Sequence, residues 1–150
     1  MIAQHILVPV DFSEHADQAL TYAMELASKL GARLTLLHVI QRPMPGAGGM
    51  GVALETYFQQ VELMAGETME DQARCAREAG LECEVAIVQG VPFQQIVDLA
   101  TTKQADLIVM GTHGRTGLQH LLLGSVAERV VRLAPCPVLI TRRPPSTPTA

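Results

Sequence analysis

The sequence predicts an α/β fold: a single-domain doubly wound sandwich, with helices on both faces of one parallel sheet. Three observations lead there. Five short apolar runs alternate with longer segments of helical period. The runs are apolar nearly throughout, the mark of strands buried on both faces. The length of 150 residues is about one domain's worth of chain, and right-handed crossovers then wind the chain both ways across the sheet.

The elements follow in order. His5 to Val10 is a compact β-branched run that stops at Asp11. Ser13 is suited to cap a helix carrying Ala16, Ala19, Leu20, Ala23, Leu26, Ala27 and Leu30, and Gly31 to end it. Arg33 to Ile40 reads as the second strand. Between Gln41 and Val52 the pattern collapses into prolines and glycines, a connector, with Pro43 to Gly51 at its centre. Helical period resumes at Leu54 and runs through Tyr57, Phe58, Val61, Met64, Ala65, Met69, Ala73 and Ala76 to Gly80. Its methionines read as core packing. Leu81 to Val88 is the third strand. Pro92 fits the first turn of a helix carrying Phe93, Ile96, Val97 and Ala100. Leu107 to Met110 is the fourth strand, a helix begins near Ser125, and Pro137 to Ile140 is the fifth strand. The folded unit is expected over 1–143, with a fraying Pro/Thr-rich tail over 144–150.

Composition excludes several classes. With 48% apolar and 17% charged residues the chain is globular rather than disordered. A net charge of −4 argues against nucleic-acid binding by charge, and 3% aromatics without tryptophan against a base-stacking platform. Cys75, Cys83 and Cys136 are odd in number and show no CxxC spacing, which disfavours disulfides and a zinc site. No basic leader opens the chain, and no run approaches the ~18 apolar residues of a membrane span. A cytoplasmic protein with no membrane and no nucleic-acid partner is expected.

Two strand ends carry unusual chemistry: Asp11 after the first, and Gly111-Thr112-His113-Gly114-Arg115-Thr116-Gly117 after the fourth, with Gly124-Ser125 opening the next helix. Ligands of open α/β sheets bind at such ends. Glycines near a helix N-terminus let backbone N–H groups approach an anion, which the helix dipole also favours. Thr112 and Ser125 add hydroxyl donors, and Arg115 a positive charge. Over 111–143, Arg115, Arg129, Arg132, Arg142 and Arg143 against Glu128 alone leave +4, as a phosphate site on an acidic protein would. Composition leaves a second reading open, in which the glycines only turn the chain and the arginines coat a solvated face.

Other templates fail. No lysine lies in 111–125 for a Walker A loop, the glycine spacing is not Gly-x-Gly-x-x-Gly, and Ser125 is not in Gly-x-Ser-x-Gly. His113 and His120 have no third ligand of metal-site spacing. His38, inside an apolar strand, reads as a satisfied core histidine. His5 and His15 carry no signal.

Gly111-x2-Gly114-x9-Gly124-Ser125 matches, at every specified position, the nucleotide signature of the universal stress protein family, which the chain resembles almost throughout. The flanks Ala105 to Gly114 and Cys136 to Ile140 are similar to that family too, as is the opening Ile6 to Ser13. The resemblance implies a five-stranded sheet of order 3-2-1-4-5, which brings Asp11 and Gly111 to one crevice. It implies ATP as ligand, with Pro9, Val10, Asp11 and Val39 at adenine and ribose. Met110, Gly111, Thr112, His113, Gly114 and Arg115 would lie at the phosphates with Gly124, Ser125 and Val126, and Mg²⁺ or Mn²⁺ would be bound through the phosphates. It further implies a stress-response regulator, the alternative being a slow ATP-hydrolysing or nucleotidyl-transferring enzyme. That alternative is disfavoured because Asp11 is the only obvious carboxylate near the loop.

Assembly is expected as a homodimer through the fifth strand, Pro137 to Thr141. Its proline suits an edge or a strand start. Val138-Leu139-Ile140 has no gatekeeping lysine, so a bare edge would invite pairing with its own copy. Family members resembling this chain dimerise there.

Overall fold

The chain winds through β1 (His5–Pro9), α1 (Glu14–Leu30), β2 (Arg33–Ile40), α2 (Gly51–Glu78), β3 (Cys83–Gln89), α3 (Pro92–Thr102), β4 (Leu107–Gly111), α4 (Ser125–Leu133) and β5 (Val138–Thr141). These elements come from a computed structural model that describes residues 2–42, 51–113 and 123–142. The five strands form one sheet of order β3-β2-β1-β4-β5, all pairs parallel. Expected class and strand order are both met. Residues 43–50 of the connector and the 144–150 tail lie outside the described residues.

The period-2 alternation of strands deals the core to two sides. Ile6, Val8, Leu34, Leu36 and Val109 pack under α1 and α2, against Ala16, Ala19, Ala23, Ala27, Met69, Ala73 and Ala76. Leu7, Leu37, Ile108 and Met110 pack on the other side, against Ile96 and Ala100 of α3 and Ala127 and Val130 of α4. The alanine seams let α1 and α2 lie close on the sheet. Ser13 accepts the N–H of Ala16 as N-cap, and Gly31 (φ 67°) ends α1 in the left-handed region.

Several boundaries differ from expectation; β3, β4 and β5 each run one residue further, to Gln89, Gly111 and Thr141. β3 begins at Cys83, not Leu81, because the Leu81 N–H closes the end of α2 on Ala76 O. Pro137 has no N–H to give the ladder, so β5 starts at Val138, although Pro137 O still accepts from Ile108. Val10 falls outside β1, yet its N–H goes to Leu37 O. A further difference concerns α2, which starts at Gly51, so the last two residues of the expected Gln41 to Val52 connector are helical. Met64 is 68% exposed and Tyr57 59%, so core packing begins only at Ala65.

The three cysteines are free thiols. Burial pushes the Cys83 thiol up to about 11. Among the described residues no helix is long and apolar enough to cross a membrane.

His5, unremarkable in sequence, is buried at the N-terminal end of the sheet. Its Nδ1 lies 3.2 Å from Lys103 O, and its Nε2 2.7 Å from the fully buried Thr35 hydroxyl. That hydroxyl is also 2.8 Å from Glu84, which pairs with Lys103 at 2.9 Å. Burial, and then the Arg33 guanidinium, hold the His5 imidazole below its ordinary value, against the Lys103 carbonyl, Glu84 and Asp106. The unfolded chain therefore takes this proton first. Stability falls as pH drops from the unfolded histidine value near 6.5 toward the lower folded value, and levels off below it. Urea midpoints between pH 8 and 5 should show a steeper decline for the parent than for His5→Gln; parallel curves would refute this.

Candidate functional site

The winding of the chain reverses between β1 and β4. β1 leads to α1 on one side of the sheet and β4 to α4 on the other, so a crevice opens where the two strands end. A cavity of about 560 Å³ fills it, within the range of small-molecule sites. Pro9, Val10 and Asp11 enter from the end of β1, Val39 from β2, and Met110, Gly111, Thr112 and His113 from β4 and its exit. Gly124, Ser125 and Val126 close it from the start of α4. Eleven of the expected site residues thus share one cavity. The other two, Gly114 and Arg115, lie outside the described residues, as does His120.

Asp11 turns the chain after β1. Its Oδ1 accepts the Ser13 N–H at 3.0 Å and the Ser13 hydroxyl, while Ser13 caps α1. Phe12 between them sits at φ 65°, a region that side chains rarely adopt. It stacks on His38, ring centroids 4.4 Å apart and 25° from parallel. His38 is half-buried, and its Nδ1–H donates to Val10 O at 2.7 Å. His38 is satisfied as expected, but it stands half-buried at the cavity wall rather than in the core.

The glycines act by close packing. A Cβ at Gly111 would lie 2.8 Å from the Cβ and carbonyl oxygen of His15, so this glycine admits the first turn of α1. At Gly124, φ is an ordinary −68°. A Cβ there would meet Thr112 O at 3.0 Å and His113 Cα at 3.4 Å. The Gly124 N–H donates to Thr112 O at 2.7 Å, tying the start of α4 to the exit of β4. It is therefore committed, and the N–H groups that point out of α4 belong to Ser125, Val126 and Ala127, whose places in the first turn leave them without helical acceptors. Gly124 caps α4 with no side chain, so the positive end of that helix opens on the cavity.

Among the described residues, the arginines of this stretch do not line the wall. Arg129 stacks over Phe93 at 4.9 Å, Arg132 pairs with Glu128 at 2.8 Å, and Arg142 is exposed. For these three the solvated-face reading is the right one; Arg143 lies outside the described residues. His113 places Nδ1 3.1 Å from the Thr112 hydroxyl and tilts against His15, with 5.6 Å between ring centroids. Among the described residues no three His, Cys, Asp or Glu side chains gather as a metal cage.

Sequence reading missed one wall. Tyr57, Phe58 and Val61 of α2 and Pro92 and Ile96 of α3 also line the cavity. Aromatic residues at helical spacing look like core, but these fall on the half of α2 that precedes its buried positions, where they line the crevice.

Comparison with known proteins agrees with this fold. The family model described as "Universal stress protein family" matches residues 3–142. Universal stress protein MJ0531 of Methanocaldococcus jannaschii is 36% identical over 140 residues, 93% of this chain and 82% of that protein. The solved structure of MJ0577, from the same organism, superposes with a TM-score of 0.86 at 32% identity, covering 97% of this chain and all of that one. A universal stress protein from Archaeoglobus fulgidus solved in complex with dAMP superposes at 0.64 with 29% identity, covering 93% and 98% of the two chains. Another universal stress protein, solved in complex with cAMP, superposes at 0.69 with 27% identity, covering 95% and 98%. With the family model spanning nearly all of the sequence, the chain belongs to the universal stress protein family.

Proposed function

We propose that the cavity binds ATP and that the protein is a cytoplasmic, nucleotide-dependent regulator of stress resistance. The observation that carries this reading is the opening of α4 onto the cavity. Its uncapped first turn faces the same space as Asp11 and the apolar walls of Val10, Val39 and Met110. A triphosphate suits the helix end, a ribose diol suits a carboxylate, and a flat base suits the apolar wall. The dAMP and cAMP complexes of the two structural neighbours support an adenine nucleotide.

The donor set fits Mg²⁺ or Mn²⁺ carried in on the phosphates. With no all-protein cage among the described residues, the Thr112 and Ser125 hydroxyls and the Asp11 carboxylate would supply protein oxygens beside those of the phosphates. The ion would neutralise phosphate charge there. An enzymatic reading has less support, because Asp11 is the single carboxylate among the described lining residues and Ser13 occupies one of its oxygens.

Mg-ATP at about 100-fold above its dissociation constant should stabilise the fold by roughly 2.7 kcal/mol. That is a melting shift of roughly 5–11 °C at this size. Differential scanning fluorimetry reads it directly, and no shift at millimolar Mg-ATP would remove the nucleotide reading. Phosphate release by the same pure protein separates a binder from a hydrolase.

A further inference from the structure

We propose that His38 is a positioning residue: it holds the left-handed backbone at Phe12 and thereby fixes the Asp11 carboxylate at the cavity wall, where that carboxylate reads the ribose hydroxyls. This rests on the nucleotide reading above and deepens it.

Asp11 is flanked by two residues that His38 touches. Before it, Val10 O accepts the Nδ1–H of His38 at 2.7 Å. After it, the Phe12 ring lies nearly parallel to the imidazole at 4.4 Å. Val10 is held from its other side as well, its N–H donating to Leu37 O at 2.7 Å. One side chain on β2 thus grips both neighbours of a carboxylate at the end of β1. Once that backbone is fixed, only two side-chain torsions remain to Asp11, and Ser13 constrains them by donating twice to Oδ1. Oδ2 keeps its acceptor sites for the cavity that Asp11 lines.

The strain at Phe12 needs a cause. A phenylalanine at φ 65° persists only where its surroundings over-determine it, and such residues gather at functional sites. Here the surroundings are the His38 stack on one side and the Asp11–Ser13 turn on the other. Glycine would meet the backbone demand freely, but it would offer His38 no ring. Because Val10 O can only accept, Nδ1 carries the proton of this contact in either charge state of the imidazole.

Calorimetric titration of the whole chain with Mg-ATP and with Mg-2′,3′-dideoxy-ATP tests the proposal. The parent should prefer ATP by about tenfold, the value of one good hydrogen bond to a carboxylate. Asp11→Ala should erase that preference. His38→Leu should erase it as well, losing about tenfold toward ATP and less than about twofold toward the dideoxy nucleotide. His38→Asn, whose amide N–H can reach the same carbonyl, should recover most of it. Should His38→Leu fail to fold, Phe12→Gly decides: it frees the backbone and must lose the preference.

Full preference in His38→Leu, or in Phe12→Gly where that variant decides, overturns the proposal. So does equal loss toward both nucleotides, or a parent chain that binds both alike. A parent that binds neither defeats the nucleotide reading instead, which keeps the two failures apart.

Discussion

Replacing Gly111 by alanine should lower the melting temperature by roughly 6–12 °C. The new Cβ would stand 2.8 Å from the Cβ and carbonyl oxygen of His15. These atoms belong to the first turn of α1, which is seated on the sheet through the buried Ala16 and Ala19. The helix cannot retreat without opening that seam. Overpacking a well-filled region costs about 1–3 kcal/mol, and a clash with backbone belongs at the upper end. Gly124→Ala makes the informative contrast. Its Cβ meets Thr112 O at 3.0 Å and His113 Cα at 3.4 Å, where a few tenths of an ångström of movement relieve it. That variant should melt close to the parent yet lose affinity for Mg-ATP, because the start of α4 shifts. Paired melting curves and titrations check both. An unchanged melting temperature in Gly111→Ala would mean that α1 is not held as described.

The second large effect concerns mass. We propose that two copies pair through β5, so light scattering at micromolar concentration should report twice the 16.2 kDa of one chain. β5 ends the sheet order, with β4 on one side only. Leu139 turns to the α1 side of the core and Val138 and Ile140 to the other, and none of the three is fully buried. An apolar edge with no lysine or bulge to blunt it is a template for pairing. A two-fold axis beside it lets the edge meet its own copy in antiparallel register. Ile140→Glu should give monomers or aggregates. A 16.2 kDa species for the unaltered protein across that range would reject the model.

Much of this architecture is legible in the chain because its parallel strands are buried on both sides. Ile6 to Val8 and Ile108 to Met110 are apolar at every position for that reason, and Ser13, Gly31 and Pro92 punctuate the helices by local chemistry. Strand order has no such local signature, since periodicity does not say which strand neighbours which; it came through the resemblance. At the site, Asp11 and the segment after β4 could be singled out by residue type alone. Tyr57, Phe58 and Val61 could not, for an amphipathic stripe looks the same whether it covers a sheet or overhangs a crevice. His5 was illegible too. A lone histidine in an apolar run gains meaning only when Thr35, Glu84 and Lys103, far away in sequence, are folded around it.

α2 has 28 residues and its buried positions begin at Ala65, halfway along. A helix of that length spans about 42 Å. Its second half is part of the protein's interior, and unfolds only when the interior does. Its first half has no fully buried residue and is tied down chiefly by Arg42, which pairs with Glu55 at 2.6 Å and lies over the Phe58 ring, so it leans more on its own helical bonds, which alone are marginal in water. Tyr57, Phe58 and Val61 hang on this weaker half, beside the cavity. A ligand in the cavity would add packing to this half, so amide-exchange protection over Val52 to Val61 should rise with occupancy while that of Ala65 to Ala76 stays unchanged. One continuous rod would in this sense act as a gauge, anchored at one end and reading the contents of the crevice at the other.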